Sequence, residues 1–245
     1  MSSPDPDAAR RAQDANRRFY DELWSSAYLV PPHRFNTWPE LSMLAATAPV
    51  RLEVGPGLRP RLPVGGTWFV DVSGPALARL RECGGLALLS DVTTLPFHDG
   101  AFDLVCAFDI VEHVKDDRRV FAELSRVARP GATVVFSVPL HQARWTAFDA
   151  LVGHVRRYEA EDLLALLCEH GLALERTAVF GMEPRSRWLL EFAAWGLSKR
   201  RTKALRWYNA VLLPVGLLTQ RRLRWEPGLI NVAGVGEILL ACRRL

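Results

Sequence analysis

The stretch VRLEVGPG at residues 50–57 decides the fold. It joins a short apolar run, Val50–Val54, to a glycine-rich turn at Gly55 and Gly57. A second apolar run, Trp68–Val72, follows after a short gap and contains an acid, Asp71. Short apolar runs bounded by glycines and acids are typical of buried strands in a parallel sheet.

Strands alternate with helices outward from this stretch. We predict further strands at Leu86–Leu89, Phe102–Phe108, Thr133–Val138, Leu174–Phe180 and Glu237–Cys242. Apolar residues at helical spacing predict helices at residues 8–29, 41–46, 117–128 and 160–170. Prolines at 31, 32 and 39 are expected to break the chain between the first two helices. The alternation predicts an α/β fold, a parallel sheet covered by helices on both faces.

One long segment, residues 181–235, interrupts the alternation. Within it, residues 181–230 contain ten Lys/Arg and three Glu, so their net charge is +7, against +4 for the whole chain and −3 for the remainder. Four of the eight tryptophans also lie there. The uncharged stretch 209–220 is too short to span a bilayer. Three interpretations stay open: a lid over a hydrophobic substrate pocket, a peripheral membrane anchor for a lipid-like acceptor, and a homodimerisation arm.

Composition excludes other classes of protein. A chain of 245 residues that is 49% hydrophobic and 24% charged can bury a core, which excludes a disordered or fibrous protein. The N-terminus has no apolar signal core and no run of 18 apolar residues occurs, so we expect a cytoplasmic protein, peripheral at the membrane if the segment 181–230 is an anchor. The four cysteines stand far apart, which predicts reduced thiols and no metal site.

Acids follow or end the predicted strands. In an open parallel sheet, ligands bind beyond the carboxyl ends of the strands. Glu53 can hold an ammonium group, and Asp71 is placed to bind both hydroxyls of a ribose. Asp91 can accept a hydrogen bond from an adenine amino group, while a backbone N–H meets a ring nitrogen. With Asp109 after the fourth strand, these acids predict a cradle for an adenosine that carries an amino acid.

Five motifs in order resemble one family. LEVGPG, VDVS, SDVTTLPFHDGAFDLV, FDIVEHV and LSRVARPGATVVFSVP are similar to the class I S-adenosylmethionine-dependent methyltransferases, most of all their type 11 small-molecule branch. The resemblance covers roughly residues 50–180 and the last strand. It implies S-adenosylmethionine as the cofactor and a small-molecule acceptor. It also implies a Rossmann-like, seven-stranded, mostly parallel sheet with an antiparallel last strand and a helical insertion before it.

The resemblance divides the chain and assigns its cofactor site. The expected parts are an N-terminal helical segment (1–49), a methyltransferase core (50–180), the insertion (181–235) and the final strand (236–245). By resemblance, the methionine end is held by Glu53, Gly55 and Gly57, the ribose by Asp71, the adenine by Asp91 and Val92, and the floor near the methyl group is formed by Phe108 and Asp109. One departure is that Leu58-Arg59-Pro60 replaces the usual third glycine. Only ten residues separate Gly57 from Trp68, so the helix after the first strand is expected to be short or absent.

Candidate catalytic residues cluster after the fourth and fifth strands: His113, His141, Asp149, His154 and Tyr158. Methyl transfer mainly requires alignment of acceptor and methyl group, and a base only when the acceptor arrives protonated. The run GHVRRY at 153–158 resembles a stretch above the active site of relatives. His154 is the first choice to contact the acceptor, with His141 and Tyr158 as further catalytic candidates. The alternative is that His154 and Tyr158 only anchor that loop.

The sequence therefore predicts methyl transfer by in-line displacement to a small molecule, with a hydrophobic or lipid-like acceptor favoured by the insertion. Nucleic acid is not expected as a partner, because the proline-rich motif of base methyltransferases is missing after the fourth strand and no RNA-binding module is evident. Two alternatives are a protein that binds S-adenosylmethionine without turnover and an NAD-dependent oxidoreductase. The second would need G-x-G-x-x-G leading directly into a helix.

Overall fold

The computed structural model describes residues 20–21, 24–25, 27–181, 209, 213–218, 220 and 222–245, apart from the side chains of residues 148 and 151. Its strands are β1 (Arg51–Val54), β2 (Trp68–Asp71), β3 (Leu86–Leu89), β4 (Phe102–Ala107), β5 (Ala128–Pro139), β6 (Leu172–Val179), β7 (Glu226–Pro227) and β8 (Glu237–Arg244). Its helices are α1 (Trp38–Thr47), α2 (Gly74–Glu82), α3 (Asp117–Val127), α4 (Ala147–Val152), α5 (Ala160–Glu169) and α6 (Leu213–Leu218).

The strands form one mixed sheet in the order β3-β2-β1-β4-β5-β8-β6-β7. Strands β1 to β5 pair in parallel. The last strand, β8, lies antiparallel between β5 and β6, which confirms the prediction for the C-terminus. The order reverses between β1 and β4, so a crevice opens beyond the carboxyl ends of these two strands.

The sheet has eight strands where seven were expected. The additional strand, β7, belongs to the segment 181–235 and pairs antiparallel with β6 at the sheet edge. It consists of only Glu226 and Pro227, and a proline is tolerated at an edge because its missing N–H does not interrupt a central ladder. Two residues are too few to produce the alternating pattern by which a strand is predicted.

Helices cover both faces of the sheet. On one face, α3 buries Val120, Phe121, Leu124 and Val127, the stripe expected from the sequence, together with Leu163 and Leu167 of α5. On the other face, Leu41 and Ala45 of α1 pack over β4, β5, β6 and β8. The sheet therefore carries an apolar core on each side, which fixes its strand ends in space.

Two helix boundaries differ from the predictions. Pro39, expected to break the chain, lies in the first turn of α1, where the missing N–H would have no intrahelical partner in any case. The predicted helix 8–29 ends earlier, because Ala27–Val30 is not helical and the N–H of Val30 bonds to the carbonyl of Leu58 at 2.9 Å. Residues 8–19, 22, 23 and 26 of that helix lie outside the described residues.

The predicted loss of a helix after the first strand is confirmed, since residues 55–67 join β1 to β2 by turns alone. Most of the 181–235 insertion lies outside the described residues. Its helix α6 packs Leu213 and Leu217 onto Val30 and Phe35. Among the helices that are described, none has the length and apolar character needed to cross a membrane.

Candidate functional site

The glycine turn after β1 lies at the crevice. Gly55 and Gly57 have φ of +65° and +53°, a region that side chains rarely adopt. A Cβ at Gly55 would come within 2.0 Å of Ile110, and one at Gly57 within 2.1 Å of the Trp24 indole. The lack of a side chain therefore lets Ile110 approach the backbone of Gly55, and Trp24 that of Gly57.

Asp71 ends β2 beside this turn. Its carboxylate accepts hydrogen bonds from the N–H groups of Gly57 at 2.9 Å and Ser73 at 2.8 Å. Burial raises the pKa of Asp71 to about 6, against these hydrogen bonds, which lower it. The acid predicted to bind ribose thus also fixes the glycine turn.

Glu53 is buried behind the turn. Its carboxylate accepts the N–H of Leu62 at 2.9 Å and that of Arg61 at 2.9 and 3.0 Å. Burial raises the pKa of Glu53 to about 7, more than the two backbone donors lower it. In this structure Glu53 holds the connection 55–67; the contact with a methionine end stays a prediction.

The loop after β3 carries Asp91 and Val92. Asp91 accepts hydrogen bonds from the N–H and hydroxyl of Thr93 at 2.8 and 2.7 Å, and Val92 is buried in the core. The loop is tied to α3 by Glu123, which accepts the N–H of Leu95 at 2.7 Å. Arg126 pairs with Glu123 and donates to two carbonyls of the same loop. This support for the predicted adenine site was not foreseen from the sequence.

Asp109 lies immediately beyond β4, in the left-handed region with φ of +55°. Ser137 of β5 donates its hydroxyl to Asp109 at 2.5 Å and accepts the Asp109 N–H at 2.9 Å. A non-glycine residue held in this region at the end of a central strand is a feature found at functional sites. The ring of Phe108, by contrast, is buried against Phe180.

Tyr20 occupies the middle of the crevice. Its hydroxyl lies 3.2 Å from Nε2 and 3.4 Å from Nδ1 of His113, and its ring stacks on Trp24. Burial, followed by the charges of Glu112, Asp71 and Asp109, raises the pKa of the Tyr20 phenol. The Tyr20 side chain thus lies among these acids.

His154 belongs to a buried polar network. Its Nδ1 lies 2.9 Å from Asp149, whose carboxylate is also bound by Arg157 and Thr146. Burial alone would raise the pKa of Asp149, but hydrogen bonds from His154, Thr146 and Arg157 outweigh it and lower the pKa. An ionised Asp149 requires the proton on Nδ1, so Nε2 of a neutral His154 is an acceptor.

Glu112 and His113 adjoin His154. The ring of His113 lies edge-on to that of His154 with centroids 4.6 Å apart, and Oε1 of Glu112 is 3.8 Å from the His154 Nε2. Burial, followed by His154, lowers the pKa of His113 to about 3, so this ring is neutral at pH 7. These three residues offer ligand atoms within 4.8 Å of one another that could hold a metal ion. No metal site was predicted from the sequence, and the spacing of these three residues gives no signal for one.

The other two catalytic candidates, His141 and Tyr158, have hydrogen-bond partners of their own. The Nε2 of His141 is 2.9 Å from the carbonyl of Val232, and its Nδ1 is 3.4 Å from Glu159. Tyr158 is buried in the core and donates its hydroxyl to Asp117 at 3.0 Å. The contacts of Tyr158 agree with the anchoring alternative, and a catalytic role for either residue stays a prediction.

Comparisons with known proteins agree with this architecture. Residues 58–136 match the family described as "Methyltransferase domain". A norajmaline N-methyltransferase from Rauvolfia serpentina is 41% identical over 54 residues, which are 22% of this chain and 18% of that protein. An uncharacterized methyltransferase from Mycolicibacterium gilvum is 24% identical over 166 residues, 68% of this chain and 59% of that one. The chain thus spans less than two thirds of either relative.

The fold is shared with a solved structure. A SAM-dependent methyltransferase from Thermotoga maritima superposes with a TM-score of 0.53 at 13% identity, over 80% of this chain and 82% of that one. Sheet order, antiparallel last strand and glycine turn agree with such a fold. Residues 58–136 therefore match the methyltransferase domain family, and the sheet has the Rossmann-like fold seen in the solved S-adenosylmethionine-dependent methyltransferase.

Proposed function

We propose that the protein transfers a methyl group from S-adenosylmethionine to a small-molecule acceptor by in-line displacement. The observation that carries the proposal is the convergence of Asp71 and Asp109 on one crevice, beside the glycine turn at the switch in strand order. When bound, S-adenosylmethionine supplies an electrophilic methyl group on a positively charged sulfur. An acidic crevice suits that charge as well as the hydroxyls of the ribose.

In this proposal Asp71 binds the ribose, and Asp91 with the backbone of Val92 binds the adenine. Gly55, Gly57 and Glu53 take the methionine end, and Phe108 with Asp109 forms the floor. These residues fit the ligand, because carboxylates accept hydrogen bonds from its hydroxyl and amino groups. Tyr20 and Trp24 must shift from the crevice when the ligand enters, since they now contact His113 and Gly57.

His154 is the proposed contact to the acceptor. Asp149 orients its ring and fixes the tautomer, which leaves Nε2 available to accept a proton from a hydroxyl or acidic carbon. His113, kept neutral by burial, is the less suitable base. The main part of the acceleration would come from alignment of the acceptor with the methyl group.

A dinucleotide-dependent oxidation is less well supported. The pyrophosphate of NAD is normally bound at the N-terminus of a helix that directly follows the glycine turn. Residues 55–67 contain no helix in this chain. Binding of S-adenosylmethionine without turnover remains the second candidate, and activity measurements distinguish it.

Calorimetry with S-adenosylmethionine and S-adenosylhomocysteine tests the proposal. Asp71→Ala and Asp91→Ala should each weaken binding about 10- to 100-fold, the effect of losing a hydrogen bond to a charged group. The exposed Asp162→Ala, on α5, is the matched control and should leave the Kd unchanged. If the wild type binds neither compound, or neither crevice substitution changes binding, the proposal is wrong. Transfer of a labelled methyl group to an acceptor panel separates turnover from binding alone.

Tryptophan fluorescence tests the expected shift of the N-terminal segment. Trp24 packs on Gly57, and the guanidinium of Arg59 lies over the indole, 5.1 Å from the ring centre of Trp24. S-adenosylhomocysteine should therefore change the emission of the wild type, and Trp24→Phe should remove most of that change. Trp68→Phe, which alters a tryptophan packed on Phe97 at the start of β2, should retain it. An unchanged response in Trp24→Phe would show that Trp24 stays in place.

The insertion is proposed to roof the acceptor pocket. Leu213 and Leu217 pack on Val30 and Phe35, and Gln220 accepts the N–H of Asn36 at 2.9 Å. These contacts connect the insertion to the segment before α1, next to the crevice. A hydrophobic or lipid-like acceptor would suit such a roof. Co-sedimentation with anionic vesicles would instead support the membrane anchor. A dimer that forms with increasing protein concentration would support the homodimerisation arm.

A further inference from the structure

We infer that the guanidinium of Arg61 binds an oxyanion of a reactant, a carboxylate or phosphate group, in a cavity beside Asp109. The inference rests on the proposed function for the identity of the reactants. Arg61 lies in the connection between β1 and β2 and was not among the predicted site residues.

The connection 55–67 lacks the helix N-terminus at which a fold of this type commonly binds an anion. A helix that begins directly after the first strand presents unpaired N–H groups and the positive end of its dipole. In this chain the same position is taken by turns, with no helix between β1 and β2. Any oxyanion that reaches this part of the crevice therefore needs another cationic partner.

The backbone of Arg61 is held rigidly. Its N–H and that of Leu62 both bond to the buried carboxylate of Glu53, and the side chains of Leu58 and Leu62 are fully buried. These two backbone hydrogen bonds to Glu53, a residue of the central strand β1, fix the position of the Arg61 Cα. A positioned side chain loses less entropy when it binds a ligand.

The guanidinium itself is enclosed by aromatic rings. It lies 3.8 Å from the ring centre of Phe35, 5.5 Å from that of Phe180 and 5.8 Å from that of Phe108. Arg61 is only 6% exposed. Ring faces stabilise a cation but supply no hydrogen-bond acceptor for its five N–H donors.

Within the part of the chain that the structure describes, this guanidinium has neither a hydrogen bond nor an ion pair. Burial lowers the pKa of Arg61, and the charges of Asp109, Glu53 and Glu237 oppose that effect without forming an ion pair. A buried charge without a direct partner is unfavourable, whereas a bidentate oxyanion matches the fork of an arginine. The site is therefore suited to a ligand that brings the missing acceptor atoms.

Arg61 lines a cavity at the crevice. The other lining residues are two acids, Asp109 and Glu237, together with Asn36, Phe180, Gly181 and Gln220. The volume of the cavity is about 40 Å³. That is room for roughly three water-sized groups, the size of a carboxylate rather than of a whole nucleoside. Asp109 and Glu237 on the same cavity wall would repel an isolated anion but accept a neighbouring ammonium group. An amino-acid end, with both charges, therefore fits the cavity best.

Two reactants can supply the oxyanion: the methionine carboxylate of S-adenosylmethionine and an acidic group on the acceptor. Calorimetry with S-adenosylhomocysteine and with 5′-methylthioadenosine, which has no amino-acid end, distinguishes them. If the methionine carboxylate binds here, Arg61→Met weakens S-adenosylhomocysteine about 10- to 100-fold and leaves 5′-methylthioadenosine within about twofold. Arg61→Lys should recover part of the loss. Arg79→Met, which alters an exposed arginine of α2 paired with Glu82, should not reproduce the selective effect.

If the acceptor supplies the oxyanion, Arg61→Met binds S-adenosylhomocysteine like the wild type. Phosphate or acetate then raises the melting temperature of the wild-type complex and not that of the variant. Equal weakening of both nucleosides would mean that Arg61 only supports the loop, and this result overturns the inference. It is also overturned if neither nucleoside nor anion distinguishes the variant from the wild type. A wild type that binds neither nucleoside contradicts the proposed function, and the anion measurements then decide on Arg61 alone.

Discussion

Replacement of Asp149 by alanine is expected to lower the free energy of unfolding by about 3–5 kcal/mol, the typical effect of breaking a buried ion pair. Asp149 is 1% exposed and its carboxylate accepts hydrogen bonds from three residues, Thr146, His154 and Arg157. Arg157 is itself buried, and it also donates to the carbonyl of Leu140 at 3.3 Å. Without the carboxylate, a buried guanidinium loses its counter-charge while its desolvation remains.

Chemical denaturation of matched variants measures this effect. Asp162→Ala, at an exposed position in the first turn of α5, should lower the free energy of unfolding by at most about 1 kcal/mol, through its interaction with the helix dipole. The double variant Asp149→Ala/Arg157→Met should recover at least half of the loss, because it removes both charges and keeps the apolar stem of residue 157. A double variant as unstable as the sum of the single ones would show that the ion pair is not the cause.

The strand ends were predictable because each depends on a local pattern. Apolar runs followed by glycine or an acid placed β1 to β4 within a residue or two, and the crevice acids followed from the rule that ligands bind beyond parallel strands. The absence of a helix after β1 was predictable too, from the missing third glycine and the short spacing between Gly57 and Trp68. None of these inferences required knowledge of distant contacts.

Distant contacts account for what was not predicted. Tyr20 meets His113 across 93 residues, and Arg126 ties down the loop of Leu95, a contact for which no sequence spacing gives a signal. Helix α4 has only six residues, too few to show periodicity, although Thr146 and Asp149 form a capping box that the sequence allows. The run GHVRRY contributes His154 and Arg157 to a buried polar network, and its role at a site stays a prediction. It did not reveal that His154 is oriented by Asp149.

Glu53 should make stability fall as pH rises through the range from about 4.5 to 7. Burial raises its pKa to about 7 in the folded protein, from 4.5 in a solvated carboxyl group. Between these values the folded state keeps a proton that the unfolded state has lost, so the unfolding free energy decreases with pH and levels off above 7. A shift of this size corresponds to roughly 3 kcal/mol over the whole range.

Glu53→Gln isolates this contribution. Asp71, whose pKa burial raises to about 6, acts in the same direction, but it is present in both proteins and cancels in their difference. The wild type should therefore lose about 2–3 kcal/mol relative to Glu53→Gln between pH 4.5 and 7.5, measured by urea denaturation at several pH values. Glu82→Gln, an exposed acid paired with Arg79, should run parallel to the wild type. Parallel curves for Glu53→Gln as well would mean that Glu53 is ionised throughout this range, held by the N–H groups of Arg61 and Leu62 despite its burial.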